Sequence, residues 1–169
     1  TNRVLAAVCA AAGKTYPANV PVIDYFEAVS KYGIDRPDMR FELFLHDVTG
    51  IVKATEFRVF TDAVAAKGIV KVICVPGGSK FTRKEIDDYT AYAADFGAKG
   101  LAWCKLEAGN VVGGTAKFLA GDVQARLRQA TGGVDGDLFF FAAGKPADAN
   151  KILAALRCKL GADLKLYSP

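Results

Sequence analysis

The side chains best suited to bind an anion lie together at the start of a predicted helix. Ser79, Lys80, Arg83 and Lys84 follow the glycine-rich turn of residues 76–78. Main-chain amides at a helix N-terminus, together with the helix dipole, favour negatively charged groups. This segment is therefore a candidate contact for an RNA phosphate, and a solvated helix start is the alternative. The turn lacks the G-x-x-x-x-G-K-[ST] spacing of a nucleotide phosphate loop.

Residue types that carry nucleophilic or metal chemistry are few and scattered. The chain has one histidine, His46, and four cysteines that all lie far apart in the sequence. A catalytic triad needs a base and a carboxylate that converge on a nucleophile, and a metal site needs several ligands at short spacing. We therefore predict a structural or solvated His46 and reduced, buried cysteines. We expect no catalytic residue, metal or cofactor in this chain.

Three aspartates lie close enough in the sequence to suggest paired carboxylates for acid–base catalysis. Asp24, Asp35 and Asp38 are the residues concerned, and Arg36 and Arg40 are interleaved with them. Paired carboxylates act as acid and base only when their environments differ. Because basic residues alternate with the acidic ones, the sequence favours a salt-bridged loop.

Length and composition indicate a soluble globular chain with one domain, or one domain and an appendage. It has 169 residues, 51% of them hydrophobic and 24% charged, and its formal net charge is +4. This mildly basic balance is compatible with nucleic acid but is not diagnostic of it. No apolar stretch approaches the roughly 20 residues that span a bilayer, so no membrane partner is expected.

The elements that position these residues follow from hydrophobic periodicity, caps and turns. The sequence predicts helices at 2–12, 23–29, 83–96, 122–131 and 146–160, and strands at 41–45, 56–60, 69–75, 101–106 and 137–142. Residues 109–114 are predicted to form a flexible loop. Strands and helices do not alternate strictly. We therefore predict an α+β fold with a two-layer α/β arrangement, in which helices pack on one face of a mostly antiparallel sheet.

One segment resembles a known signature. Residues 32–40, YGIDRPDMR, are similar to the YGSDKPDLR signature of bacterial-type aspartyl-tRNA synthetases and depart from it at Ile34, Arg36 and Met39. Further similar segments follow in the order and rough spacing of that family's insertion (GAD) domain: 75–78, 82–89, 96–103, 116–119, 135–140 and 154–161. The chain thus resembles this insertion domain with a strip of the flanking catalytic domain.

The resemblance implies a division of the chain and a parent activity. Residues 1–40 would be a flanking segment of the class II catalytic domain, and residues 41–169 the GAD insertion domain. The parent enzyme would attach aspartate to tRNA with the use of ATP and magnesium. The motif 2 and motif 3 arginines that hold ATP in class II synthetases have no counterpart in this chain. The resemblance therefore implies no catalytic residue here, and the chain alone is expected to be inactive.

The same resemblance implies the partners and leaves alternatives open. The expected partners are the remainder of the synthetase catalytic domain and tRNA, whose acceptor end the domain would help to dock. The parent is expected to be a homodimer in a bacterial cytoplasm or an organelle. One alternative is the GAD module of a glutamyl-tRNA amidotransferase subunit, against which residues 32–40 count. Another is a module that only packs against its parent enzyme.

Overall fold

A computed structural model describes residues 2–17 and 19–167. The helices are α1 Asn2–Ala11, α2 Tyr25–Tyr32, α3 Thr49–Val52, α4 Arg58–Ala65, α5 Arg83–Ala94, α6 Asp122–Thr131 and α7 Pro146–Asp163. The strands are β1 Leu45–Asp47, β2 Ile69–Val75, β3 Ala102–Glu107, β4 Asn110–Val112 and β5 Leu138–Gly144. Two short 3-10 helices span Gly78–Lys80 and Ala116–Phe118. Across the described residues, no helix is both long and apolar enough to cross a membrane.

The strands form one antiparallel sheet in the order β1-β2-β5-β3-β4. β5 lies at its centre and pairs with β2 along seven residues, with Val72 opposite Phe141. On its other side β5 pairs with β3, which forms a hairpin with β4. The predicted α+β class with an antiparallel sheet is thereby confirmed.

Helices cover both faces of the sheet, whereas the prediction placed them on one. The two longest helices, α5 and α7, pack on the face that contains Ile73 and Phe140. The shorter helices α3, α4 and α6 cover the face that contains Val72 and Phe141. Alternate residues of a strand point to opposite faces. Because β2 and β5 carry apolar side chains on both faces of the sheet, both faces must be shielded from water.

The prediction of a strand over residues 41–45 is wrong, because only Leu45 belongs to β1. The alternating apolar residues do point inward, since Phe41 and Leu43 are buried. However, Leu43 has a φ of 118°, a conformation that interrupts an extended strand. The carbonyls of Phe41 and Leu43 accept hydrogen bonds from Arg157 instead of from a neighbouring strand.

Two further predictions fail at short elements. Residues 56–60 do not form a strand, because 58–60 already belong to α4. Phe57 and Phe60, three positions apart, pack edge to face with ring centroids 4.7 Å apart. The segment 109–114, predicted as a loop, contains β4. Ala108 and Gly109 both have positive φ, of 48° and 79°. Two such residues form the tight turn that joins antiparallel strands, although alanine seldom occupies the first position.

Local signals place the ends of the main helices. Thr82 caps α5 as predicted, and Pro146 occupies the first turn of α7. Asp24 caps α2 by accepting the amides of Phe26 and Glu27, and Gly33 ends that helix with a φ of 77°. These helices frame the two surfaces that are candidates for function.

Candidate functional site

The N-terminus of α5, where the RNA contact is predicted, is closed by its own side chains. The Thr82 hydroxyl accepts the Glu85 amide at 3.2 Å, and the Glu85 carboxylate accepts the Thr82 amide at 2.7 Å. The Thr82 amide and hydroxyl together lower the pKa of Glu85. The Ser79 amide donates to the Gly136 carbonyl at 2.9 Å. Several donors that could hold a phosphate are therefore already occupied.

The predicted cations do lie together at this helix start, but two of them are paired. Arg83 contacts Asp87 at 3.0 Å, and Lys84 contacts Asp88 at 3.0 Å, each one helical turn ahead. Lys80 has no acidic partner among the described residues. Exposed pairs of this kind are weak and can exchange partners. The pairs with Asp87 and Asp88 reduce the positive charge that Arg83 and Lys84 can offer to a phosphate, while Lys80 stays unpaired within the described part of the chain. The RNA contact stays a prediction.

One pocket brings together the residue types of a nucleophilic triad. His46, Cys74 and Asp137, distant in the sequence, all line it. The Cys74 thiol donates to Asp137 at 3.4 Å, and burial is the main cause that raises its pKa. A nucleophilic cysteine needs a lowered pKa and an adjacent base. Asp137 instead accepts the Gly77 and Val134 amides, so the group organises a turn.

Metal ligands and thiols give no other site. Among residues 2–17 and 19–167, no three His, Cys, Asp or Glu side chains lie close enough to hold a metal ion. Burial raises the pKa of Cys104 to about 12. The prediction that all cysteines are buried is confirmed only for Cys104. Cys9 and Cys74 are half-buried, and the side chain of Cys158 is exposed on α7. Its place in the helix turns it away from the sheet.

A buried arginine fixes the segment that leads into β1. Arg157 of α7 is 1% exposed and donates to the Leu43 carbonyl at 2.9 Å and the Phe41 carbonyl at 2.6 Å. Its guanidinium lies over the rings of Phe41 and Tyr32, 4.0 and 4.8 Å from their centroids. Its charge is therefore balanced by carbonyl and ring dipoles.

The segment before β1 also lies beside the segment that follows α7. The Arg40 guanidinium is 4.0 Å from the centroid of the Tyr167 ring, and Phe41 stacks on the same ring at 5.2 Å. Arg40 also pairs with Asp38 at 2.7 Å and holds the pKa of that carboxyl at about 2. Of the predicted salt-bridged loop, only this pair forms among the described residues, since Asp24 caps α2 and neither Asp35 nor Arg36 makes an ion pair. The chain therefore enters and leaves the sheet region at one place.

The sequence from α4 into α7 matches a known domain family. The sequence profile described as the GAD domain matches residues 60–153, just over half of the chain. The chain belongs to the GAD domain family. The matched part runs from α4 into α7 and includes the start of α5. Arg157 and the Phe41 and Leu43 carbonyls that it binds lie outside the matched part.

Relatives that contain this GAD domain are aspartate–tRNA ligases. The ligase of Halalkalibacterium halodurans is 47% identical over 86% of this chain and 25% of its own length. The aspartate–tRNA(Asp/Asn) ligase of Bacillus subtilis is 47% identical over 88% of the chain and 25% of the ligase. The Geobacillus kaustophilus ligase is 46% identical over 98% of this chain and 28% of its own length. The chain thus spans about a quarter of the length of these relatives.

Structural similarity adds no argument to this assignment. A hypothetical protein from Pyrococcus horikoshii OT3 aligns at a TM-score of 0.37 and 22% identity, over 57% of this chain and 50% of its own. The family assignment rests on sequence.

The second candidate surface is a groove between the GAD domain and α2. It has a volume of about 610 Å³ and is lined by Val29 and Tyr32 of α2 and by Asn150 and Ala154 of α7. Lys71 of β2 fixes α2 beside it, because its ammonium donates to the Ser30 carbonyl at 2.8 Å. Burial lowers the pKa of Lys71. The groove is mostly apolar and open to solvent.

Proposed function

We propose that this chain is the non-catalytic accessory part of an aspartate–tRNA ligase, composed of the GAD domain and an adjoining segment. The observation that carries the proposal is its 43–48% identity to aspartate–tRNA ligases over 85–98% of its length. Similarity across nearly the whole chain makes a corresponding place in a longer ligase the simplest account. Attachment of aspartate to tRNA is then the activity of the whole enzyme.

The geometry of the chain path supports an inserted domain. A domain inserted into a host must be connected to it by two segments that lie side by side. Phe41 and Arg40 contact Tyr167, so the two connecting segments meet. Arg157 holds the first of them against α7. A domain anchored in this way can move with its host as one body.

The chemistry of ligation would reside in the remainder of the ligase. ATP and magnesium need converging cationic and carboxylate groups. Within the described residues, Asp38 is bound to Arg40, Asp135 to Arg128 and Asp87 to Arg83. These carboxylates are spread over separate parts of the fold, so this chain supplies positioning and stability while the host performs the catalytic steps.

Pyrophosphate exchange with ATP tests this division of labour. The chain alone is expected to give no aspartate-dependent exchange above background. A chimera in which it replaces the matching 28% of the Geobacillus kaustophilus ligase is expected to retain exchange. Exchange by the chain alone would refute a non-catalytic role. A folded chimera without exchange would refute the place in the ligase.

The same proposal includes a contact between the start of α5 and the acceptor end of tRNA. Arg83 and Lys84 lie in the first turn of α5, Lys80 lies in the 3-10 helix just before it, and all three are exposed. Phosphate contacts by such residues give binding that weakens as salt rises. The triple change Lys80→Glu, Arg83→Glu and Lys84→Glu in the chimera is expected to weaken tRNA binding and to reduce its salt dependence.

A control with the same charge change separates local contacts from net charge. Lys53, Lys67 and Arg126 are exposed and lie with α3, α4 and α6 on the opposite face of the sheet. Their triple change to glutamate is expected to have a smaller effect on tRNA affinity. Equal losses of tRNA affinity in both variants would show that binding depends on net charge and not on a contact at α5. No loss in either would refute the α5 contact.

A second candidate role is packing alone, without a tRNA contact. The observation that favours it is the pairing of Arg83 with Asp87 and of Lys84 with Asp88, which lowers the positive potential of the α5 surface. In that case neither triple variant changes tRNA affinity, while deletion of the domain lowers the stability of the ligase. The two charge-reversal variants therefore decide between the roles.

A further inference from the structure

The exposed large apolar side chains are concentrated in one quarter of the chain. Of twelve among the described residues, nine lie from Val4 to Met39. Phe26 is 78% exposed and Tyr25 60%, both on α2, and α1 has no buried residue. Single exposed apolar residues are ordinary, but a cluster of them marks a surface that another body covers. Two of these residues, Tyr25 and Ile34, line the groove between α2 and α7.

Asn150 of α7 forms part of the wall of the groove. It is 9% exposed, and its side-chain oxygen Oδ1 is enclosed by the fold. The backbone of the same residue lies against Gly33, where an added Cβ would come within 2.5 Å of the Asn150 carbonyl oxygen. The α7 wall of the groove is therefore held closely against the end of α2.

We propose that a segment from the remainder of the ligase binds in this groove, placing an apolar side chain between α2 and α7. This inference rests on the proposed function, because the occupant is part of the same ligase. The relatives are about four times as long as the part that matches, so most of each ligase lies outside this chain. The groove joins residues of α2 to residues of the GAD domain, so the occupant binds both at once.

The charges at the rim define the chemistry of the occupant further. Asp35, Asp38, Arg36 and Lys151 line the groove together with its apolar walls. Asp38 is already paired with Arg40, which leaves Asp35 and Arg36 of opposite sign at the open side. A mixed rim of this kind fits an amphipathic protein segment with an apolar centre and polar edges. It does not fit a polyanion, which would meet both aspartates.

Cys158 provides a direct probe of occupancy. It lines the groove and its thiol is free and exposed. We compare the rate of maleimide modification at Cys158 in the chain alone and in the Geobacillus chimera, by mass spectrometry of the peptide that contains it. An occupied groove is expected to slow the reaction by about tenfold or more, since a covered thiol reacts only after local opening. An equal rate in both proteins would overturn the inference.

A matched control makes the result specific. Val134 is 60% exposed and is not among the groove residues, so Val134→Cys is expected to react equally in both proteins. Slower modification at both positions in the chimera would overturn the inference, because it would not be specific to the groove.

The outcomes distinguish the docking inference from the proposed function. A chimera that charges tRNA while Cys158 remains reactive overturns the docking inference and leaves the ligase role standing. A folded chimera with a protected Cys158 that does not charge tRNA refutes the ligase role and supports an occupied groove.

Discussion

At the scale of single residues, buried or half-buried polar side chains connect parts of the chain that are distant in sequence. Arg157 binds the carbonyls of Phe41 and Leu43, and Lys71 binds the carbonyl of Ser30. Each satisfies backbone groups that no strand or helix partner reaches. Sequence periodicity cannot identify such residues. It predicts that an arginine in α7 is exposed to solvent, because the carbonyls that it binds are distant in the sequence.

Arg157 should contribute more to stability than an exposed arginine. We expect Arg157→Met to lower the free energy of unfolding by about 2–4 kcal/mol, because two buried carbonyls lose a charged donor. Arg126→Met is the control, since Arg126 is exposed and makes only a long ion pair with Asp122, at 3.8 Å. This change should lower the free energy of unfolding by at most about 0.5 kcal/mol. Urea denaturation of the chain measures both. Equal losses of unfolding free energy in the two variants would show that Arg157 does not hold the segment before β1 against α7.

His46 should make stability depend on pH near neutrality. Burial lowers its pKa from the ordinary 6.5, and a hydrogen bond with the Ala130 backbone opposes this only in part. Between the lowered pKa and 6.5, the unfolded chain binds a proton that the folded chain does not. Stability should therefore fall as the pH drops below 6.5, and the loss should end once the pH is below the folded pKa.

A variant isolates this effect from the titration of carboxylates. Urea midpoints of the chain and of His46→Gln are compared between neutral and mildly acidic pH. The variant is expected to lose less stability over this interval, since it has no imidazole to protonate. Identical pH slopes would contradict a lowered pKa for His46.

At the scale of elements, local sequence determines some helices and strands, and tertiary contacts determine the others. The capping box at Thr82 and the β-branched run of β2 are local signals, and the elements they predict are present. α4 and β4 were missed because their residues take conformations that the surrounding fold selects. Gly161 was expected to end α7. It lies instead inside the helix, where a Cβ would meet the Phe41 ring at 2.5 Å.

The glycine that ends α2 offers an element-scale prediction. Gly33 and Gly132 both end helices in the left-handed conformation, at φ values of 77° and 70°. At Gly33 a Cβ would also lie 2.5 Å from the Asn150 carbonyl oxygen, whereas nothing lies within 4 Å of one at Gly132. Gly132→Ala should cost about 1–2 kcal/mol for the backbone conformation alone.

Gly33→Ala should cost more, because α2 must also shift away from α7. We expect the loss of unfolding free energy to exceed that of Gly132→Ala by about 1–3 kcal/mol. Thermal or urea melts of the two variants provide the comparison. Equal costs would mean that α2 is not held closely against α7, and would weaken the case for a groove of fixed shape between them.

At the scale of the whole molecule, sequence predicted the class of the fold better than its arrangement. The antiparallel α+β sheet follows from elements that do not alternate strictly, and it is present. The second helical layer was missed because α3 has only four residues and because the start of α4, although amphipathic, was predicted as a strand. Of the candidate sites, sequence located the cationic start of α5 but not its ion pairs. The groove could not be predicted, since its walls come from residues more than a hundred positions apart.

Charging of tRNA by the chimera tests the central claim most directly. The measurement is kcat/KM for aspartylation of tRNA by the Geobacillus kaustophilus ligase in which this chain replaces its own matching part. A value within about tenfold of the parent ligase, or about 1.4 kcal/mol in activation free energy, is expected if the chain is the equivalent accessory part. A chimera that folds, as judged by protection of β2 and β5 from hydrogen exchange, but has lost about a thousandfold or more of this activity would contradict the account.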